Sequence, residues 1–147
     1  SMTHFVITGR LEVDEQTMWQ ILLDKVHNPQ KYVPNSTEVV LDKVEPNTYL
    51  RKMKRDPNTF EELIKINEDD NETIFELKNH PNYEGYILTR VEKDLESKSG
   101  TSCYLTYELK WDLKSKGLED KNIFIWLTEA YRKTREAALA INQKNDL

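Results

Sequence analysis

Glu62 interrupts an otherwise apolar alternation, Phe60, Glu62, Ile64, Ile66, and so falls on the inward face of a half-buried strand. A four-residue loop at Asp56–Thr59 sets Met53 opposite it, with Arg51 and Arg55 diagonal on the same face. Diagonal Cβ separations of about 7–8 Å are within an arginine's reach. A carboxylate buried alone is costly, so Glu62 must be paired or neutral. Two readings stay open: a polar anchor or shifted-pKa base on a cavity wall, or an Arg51–Glu62 structural pair near the sheet rim, with a slipped register that exposes Glu62 as its variant. The same parity turns Tyr107 inward and Tyr86 outward beside Glu76, while Tyr49 shares its side with Arg51. An inward phenol either orients a ligand carbonyl or packs. Glu62 with a tyrosine could run cyclase, isomerase or hydratase chemistry without a cofactor, by acid–base catalysis and orientation.

Other chemistries find little support. His4, His27 and His80 lie far apart with no His-x-x-x-His spacing, so no metal and no cofactor is expected. The run Glu68-Asp69-Asp70-Asn71-Glu72 lacks the spacing and central glycine of a calcium loop. The one cysteine, Cys103, falls on the inner face beside Leu95 and reads as a small buried hydrophobe; it permits no internal disulfide, which fits a reducing compartment. No phosphate loop, dinucleotide fingerprint or Gly-x-Ser-x-Gly is present. The string Arg51-Lys52-Met53-Lys54-Arg55 divides its charges between two strand faces, and the chain as a whole carries −5, so nucleic acid is not expected as a partner. No apolar run approaches the ~18 residues of a membrane span. No charged segment followed by an apolar one opens the chain, so secretion is not indicated and a cytoplasmic protein is expected.

The elements that must position these residues follow from periodicity. The 147 residues suit one domain, and 3 Trp, 7 Tyr and 4 Phe exclude a disordered acidic segment. Phe5 to Val13 alternates as a strand. Asp14 N-caps a helix with apolar positions Met18, Trp19, Leu22, Leu23 and Val26, which stops before Asn28-Pro29. Gln30 to Val33 forms a further short turn. Six strands follow between Ser36 and Trp111, among them Tyr49–Arg55, Phe60–Asn67, Glu72–Lys78, Tyr83–Glu96 and Thr101–Trp111. A two-residue turn at Asp70-Asn71 sets Lys65 opposite Glu76, and a loop ending in Gly100 sets Arg90 opposite Glu108, with Gly85 on the inner face where a sheet bends. A long helix runs from about Leu118 to Lys144, with Ile123, Trp126, Leu127, Ala130, Thr134, Ala137, Ala138 and Ile141 on one face and Glu119 and Asp120 in its first turn. A sheet of this size with one apolar face needs a cover, and this helix is the only large amphipathic element available. If the sheet curves, a straight helix leaves a gap beneath it.

This order, with the strings His27-Asn28-Pro29-Gln30-Lys31-Tyr32-Val33-Pro34, Phe60-Glu61-Glu62, Tyr104-Leu105-Thr106-Tyr107 through Trp111, and Ala130-Tyr131-Arg132, resembles the helix-grip proteins of the START/Bet v 1-like (SRPBCC) superfamily, and within them the uncharacterised AtaL-like branch. The resemblance covers Phe5 to about Ile141. It implies an α+β helix-grip fold: a curved seven-stranded antiparallel sheet wrapped around a long C-terminal helix, with a short helical segment after the first strand, all in one domain over residues 1–147. It also implies an internal cavity for a small hydrophobic or amphipathic molecule, and no particular reaction. On the inferred faces the ligand-binding candidates are Arg51, Met53, Glu62, Ile64, Phe75, Thr89, Tyr107, Leu109, Trp126, Ala130 and Thr134. The expected partner is a small hydrophobic molecule, with no membrane insertion, and the expected state a monomer or weak homodimer.

Overall fold

The computed structural model describes residues 2–33, 35–114 and 122–145. Its elements are strand β1 (Met2–Leu11), helix α1 (Glu15–His27), a 3₁₀ turn at Pro29–Lys31, strands β2 (Ser36–Glu45), β3 (Thr48–Arg55), β4 (Asn58–Asn67), β5 (Glu72–Lys78), β6 (Tyr83–Lys93) and β7 (Cys103–Leu113), and helix α2 (Ile123–Asn145). The strands form one curved antiparallel sheet in the order β1-β7-β6-β5-β4-β3-β2. Because β1 and β2 are opposite edges, α1 and the 3₁₀ turn must carry the chain from one edge to the other.

Asp14 caps α1 as its sequence position requires: its side chain accepts from the Thr17 N–H at 3.0 Å. At the other end the Asn28-Pro29 string shuts the helix. The Asp24 carboxylate accepts from Asn28 Nδ2 (2.8 Å), Lys31 Nζ (3.2 Å) and the Tyr32 hydroxyl (2.5 Å), which folds the following residues back onto the last turn. Helix α2 buries Ile123, Leu127, Ala130, Thr134 and Ala138 at helical spacing. The sequence start at Leu118, with Glu119 and Asp120, lies outside the described residues.

All three hairpins that the sequence reading registers are displaced by two residues, and none is displaced by one. The β3–β4 turn is only Asp56-Pro57, so Arg51 and not Met53 stands opposite Glu62. The β4–β5 loop takes in Glu68–Asn71, so Lys65 faces Ile74 and Glu76 faces Leu63. The β6–β7 loop runs from Asp94 to Ser102, so Arg90 faces Thr106 and instead bonds Glu72 on β5 at 2.8 Å. In that loop the Asp94 carboxylate accepts from Arg10 Nε (2.7 Å), Ser102 Oγ (2.8 Å) and the Glu96 N–H (3.1 Å), contacts that the alternation of strands does not encode. Cys103 is buried but pairs with Lys93, and Leu95 projects into solvent. A shift of two leaves every side chain on its own face, so the inward set survives.

The inner face of β3–β7 forms the core with α1 and α2, including Met53, Ile64, Phe75, Leu77, Ile87, Leu105, Leu109 and Trp111. Tyr131 on α2 donates to the Leu105 carbonyl at 2.8 Å, and a Cβ at Gly9 would approach that hydroxyl to 3.2 Å, so the smallness of Gly9 lets the helix dock there. Gly85 has φ +129, opposite Trp111, and a Cβ would lie 2.0 Å from the Lys110 carbonyl oxygen. Backbone cannot yield as a flexible side chain can. Gly85→Ala is therefore expected to lower the unfolding free energy by about 2–4 kcal/mol, measured by urea denaturation; a loss below half a kcal/mol contradicts the close approach.

Candidate functional site

Beneath the helices the inner face holds a cluster of polar groups. Arg51 is 2% exposed, with Glu62, Lys25, Tyr107, Thr134 and Thr89 buried around it. One Arg51 guanidinium nitrogen donates to the carbonyls of Lys25 and Val26, both at 3.0 Å, and the other donates to Glu62 Oε1 at 2.9 Å. The last carbonyls of any helix lack partners within it and carry its negative end. Arg51 thus supplies both the donors and the charge that the end of α1 needs, and Glu62 compensates the buried cation. Of the two readings of Glu62, the structural pair is the geometry present, and it stands directly across the ladder rather than diagonally.

Lys25 shares a helix face with Met18 and Leu22 and enters the same region. Its Nζ lies 4.2 Å from the Tyr107 ring centroid and 5.4 Å from that of Phe75, and donates to the Tyr107 hydroxyl at 2.9 Å. Tyr107 donates in turn to Thr134 (2.6 Å), which donates to the Ala130 carbonyl (2.9 Å). Burial, then the neighbouring Arg51 charge, pulls the Lys25 amine down to about 7, against the smaller opposing pull of Glu62. Burial also holds the Tyr107 phenol protonated far above neutral pH. Tyr107 meets Lys25 and Thr134 rather than Glu62, so an acid–base pair of Glu62 with this tyrosine is not assembled. The Cys103 thiol, pushed up to about 12 by burial, is no thiolate at neutral pH.

Toward the N-terminal end of α2, the seam between helix and sheet opens into a pocket of about 120 Å³. Phe60, Tyr83, Trp111 and Trp126 wall it, with His80 and Arg55 among the other lining residues. Trp111 and Trp126 stack with centroids 6.1 Å apart, His80 lies 5.3 Å from Phe60 and 5.6 Å from Tyr83, and the Arg55 guanidinium sits 4.4 Å over Trp126. The indole Nε1 atoms of Trp111 and Trp126 are buried without hydrogen-bond partners. His80 Nδ1 accepts from the N–H groups of Asn82 and Tyr83, both at 3.1 Å, which places the ring proton on Nε2. Burial, with Lys114 nearby, lowers its pKa and keeps it neutral.

A larger concavity of about 610 Å³ lies on the outer face, beyond the last β5–β6 pair, Glu76–Tyr86. Lys65, Lys78 and Lys114 balance Glu76, Glu84 and Asp112 around it, so it offers no net field to a charged ligand.

No protein-family model and no curated protein matches this sequence. Solved structures do. A START superfamily protein from Mycobacterium smegmatis superposes with a TM-score of 0.71 at 11% identity, over 94% of this chain and 98% of that one. The Zhui aromatase/cyclase from a Streptomyces species gives 0.65 at 15% identity, over 100% and 90%. Ara h 8.0201 gives 0.68 at 10% identity, over 95% and 99%. The chain has the helix-grip fold of the START/Bet v 1-like (SRPBCC) superfamily. At these identities the likeness speaks for the fold alone.

Within this helix-grip structure the sequence candidates divide. Arg51, Met53, Glu62, Ile64, Phe75, Thr89, Tyr107, Leu109, Ala130 and Thr134 are all buried on the inner side, whereas Trp126 alone among the candidates lines the rim pocket. Lys25 was absent from that set, although its spacing from Met18 and Leu22 marks the same helix face. His80 lies in the β5–β6 loop, and its ring is buried because aromatic groups from other elements close over it.

Two outcomes test the polar centre. Arg51→Met leaves Glu62 and two helix carbonyls without donors and is expected to cost about 3–5 kcal/mol; adding Glu62→Leu should recover part of it, because the carbonyls stay uncapped. In the unfolded chain Lys25 keeps its proton up to its ordinary 10.5, while the folded chain releases it near 7. Between these values the unfolded state binds more protons, so this group makes stability rise with pH from 7 toward 10. Urea midpoints across that range should show a rise that Lys25→Met abolishes; an unchanged slope in the variant contradicts a buried neutral amine.

Proposed function

We propose that the protein binds a small hydrophobic or amphipathic molecule between its sheet and its C-terminal helix, with the molecule entering at the rim pocket. The observation that carries this reading is the aromatic wall built by Phe60, Tyr83, Trp111 and Trp126 around open space. Ligand sites combine apolar walls with a few placed polar groups. The deeper candidates, from Arg51 and Glu62 to Tyr107 and Thr134, are hydrogen-bonded to one another, to Lys25 or to helix carbonyls, with Arg51 Nε left over, and act as the floor that fixes α1 and α2. The finer placement in the AtaL-like branch is part of this reading, supported by the string from His27 to Pro34. So are a cytoplasmic setting and a monomer or weak homodimer as the working form. Among the described residues no helix is long and apolar enough to cross a membrane.

Nile red, a neutral apolar dye larger than the pocket, should bind the folded protein with one end in the rim pocket and the rest at its open mouth, with increased emission, and Trp126→Ala should weaken that binding at least fivefold while the thermal midpoint moves by only a few degrees. Equal dye binding by both proteins would place the ligand elsewhere.

A further inference from the structure

One polar edge of the rim pocket is both buried and fixed in its chemistry. His80 is 7% exposed and lines the pocket among the rings of Phe60, Tyr83 and Trp111, whose centroids lie 5.3, 5.6 and 6.4 Å from its own. Its Nδ1 is taken by the N–H groups of Asn82 and Tyr83, so the ring proton belongs to Nε2 and that atom can only donate. The loop is pinned from behind: Lys114 donates from Nζ to the His80 carbonyl at 2.7 Å and from its backbone N–H to the Asn82 carbonyl at 2.8 Å. Tautomer and ring position are therefore set before any ligand arrives. No described group accepts from Nε2, and it is not one of the nitrogens that, like the Trp111 and Trp126 indoles, are sealed from open space without a partner. The lining asparagines, Asn58, Asn82 and Asn122, are exposed or half-buried, so water competes for their amides. Size narrows the choice further. An apolar cavity of about 150 Å³ takes up benzene, so about 120 Å³ at an open rim seats one ring with its far edge at the mouth. The surrounding aromatic rings favour a flat occupant.

We propose that His80 makes this pocket selective for a flat aromatic ring carrying an oxygen acceptor, which takes the Nε2–H as its hydrogen bond, over the same ring without one. The inference rests on the ligand-holding reading above and names the chemistry of the ligand and the residue that orients it. A ring with no acceptor displaces water from the imidazole edge and leaves a buried donor unpaired, which weakens its binding. A ligand that presents only N–H groups fares no better, because Nδ1 is already occupied. The oxygen of the accepted ligand points toward the β5–β6 loop, and its ring lies against the aromatic walls.

Acetophenone and isopropenylbenzene are flat, neutral and of one shape, and differ in carrying C=O or C=CH2. In NMR titrations of nitrogen-15-labelled protein, acetophenone should bind about fivefold or more the tighter of the two. The His80 Nε2 nitrogen, read through the carbon-bound protons of its ring, should move downfield with acetophenone and not with isopropenylbenzene. His80→Phe, which keeps a ring and removes the donor, should bring the two affinities within about twofold of each other. If that variant does not fold, the Nε2 resonance of the unaltered protein decides alone. Equal affinities for the two ligands, an unmoved Nε2 at saturating acetophenone, or a preference that survives in folded His80→Phe overturns the proposal, while Nile red binding keeps the ligand-holding reading intact. Nile red binding with no binding of either ring overturns it as well. Failure of the dye and both rings removes both.

Discussion

One guanidinium joins the helical layer to the sheet, and the interior is arranged around it. Helix α1 has to cross from one sheet edge to the other, so its carboxyl end finishes inside the protein, where water is not available to its carbonyls. Arg51 reaches across from β3 to two of them. Its charge then needs Glu62 on the next strand, and the presence of that charge, with burial, is why Lys25 is driven toward neutrality and hands its hydrogen bond to Tyr107. Tyr107 passes the contact on to Thr134 of α2. Both helices are therefore referred to the same point of the sheet. The Asn28-Pro29 string belongs to this arrangement, because the grip of Tyr32 and Asn28 on Asp24 fixes the turn whose carbonyls Arg51 receives.

The seam between α2 and the sheet consequently has two unlike ends. Around Tyr131, Gly9 and Tyr107 it is closed by close approach and direct hydrogen bonds. Around Trp126 and Trp111 large flat rings meet at an angle to residues from the β5–β6 loop and leave space. A helix gripped firmly at one end, with room at the other, suits a protein that holds a molecule. The volume at the described rim is that of one ring, so shape and hydrogen bonding, more than apolar area, would discriminate among ligands.

How much of this was legible follows from what alternation can and cannot encode. Which residues face inward was readable, because a period of two is visible in Phe60, Glu62, Ile64 and Ile66. Which residue stands opposite which was not, because a slip of two preserves every face. In the β6–β7 hairpin the loop that decides it is held by Asp94 gathering Arg10, Ser102 and the Glu96 N–H, and the bond to Arg10 reaches across the chain. The Arg51–Glu62 pair was foreseen as one of two readings and is closer than expected. Arg51's bond to α1 was not foreseen, since no local pattern announces that a strand side chain will cap a helix 25 residues earlier. Trp126 was placed on the correct helix face, but the pocket it lines is assembled from β3, β4, the β5–β6 loop, β6, β7 and α2, and only their assembly in three dimensions makes it a site.

A small molecule held in the rim pocket would lie against both Trp111 and Trp126, which line it. The protein carries three tryptophans, and Trp19, buried on the inward side of α1 and not among the rim pocket's lining residues, serves as an internal control. In a titration of nitrogen-15-labelled protein with a ring-sized aromatic ligand, the indole N–H resonances of Trp111 and Trp126 should move together with one dissociation constant while that of Trp19 stays in place. Movement of Trp19 alone, or three unmoved indoles at saturating ligand, would contradict the account.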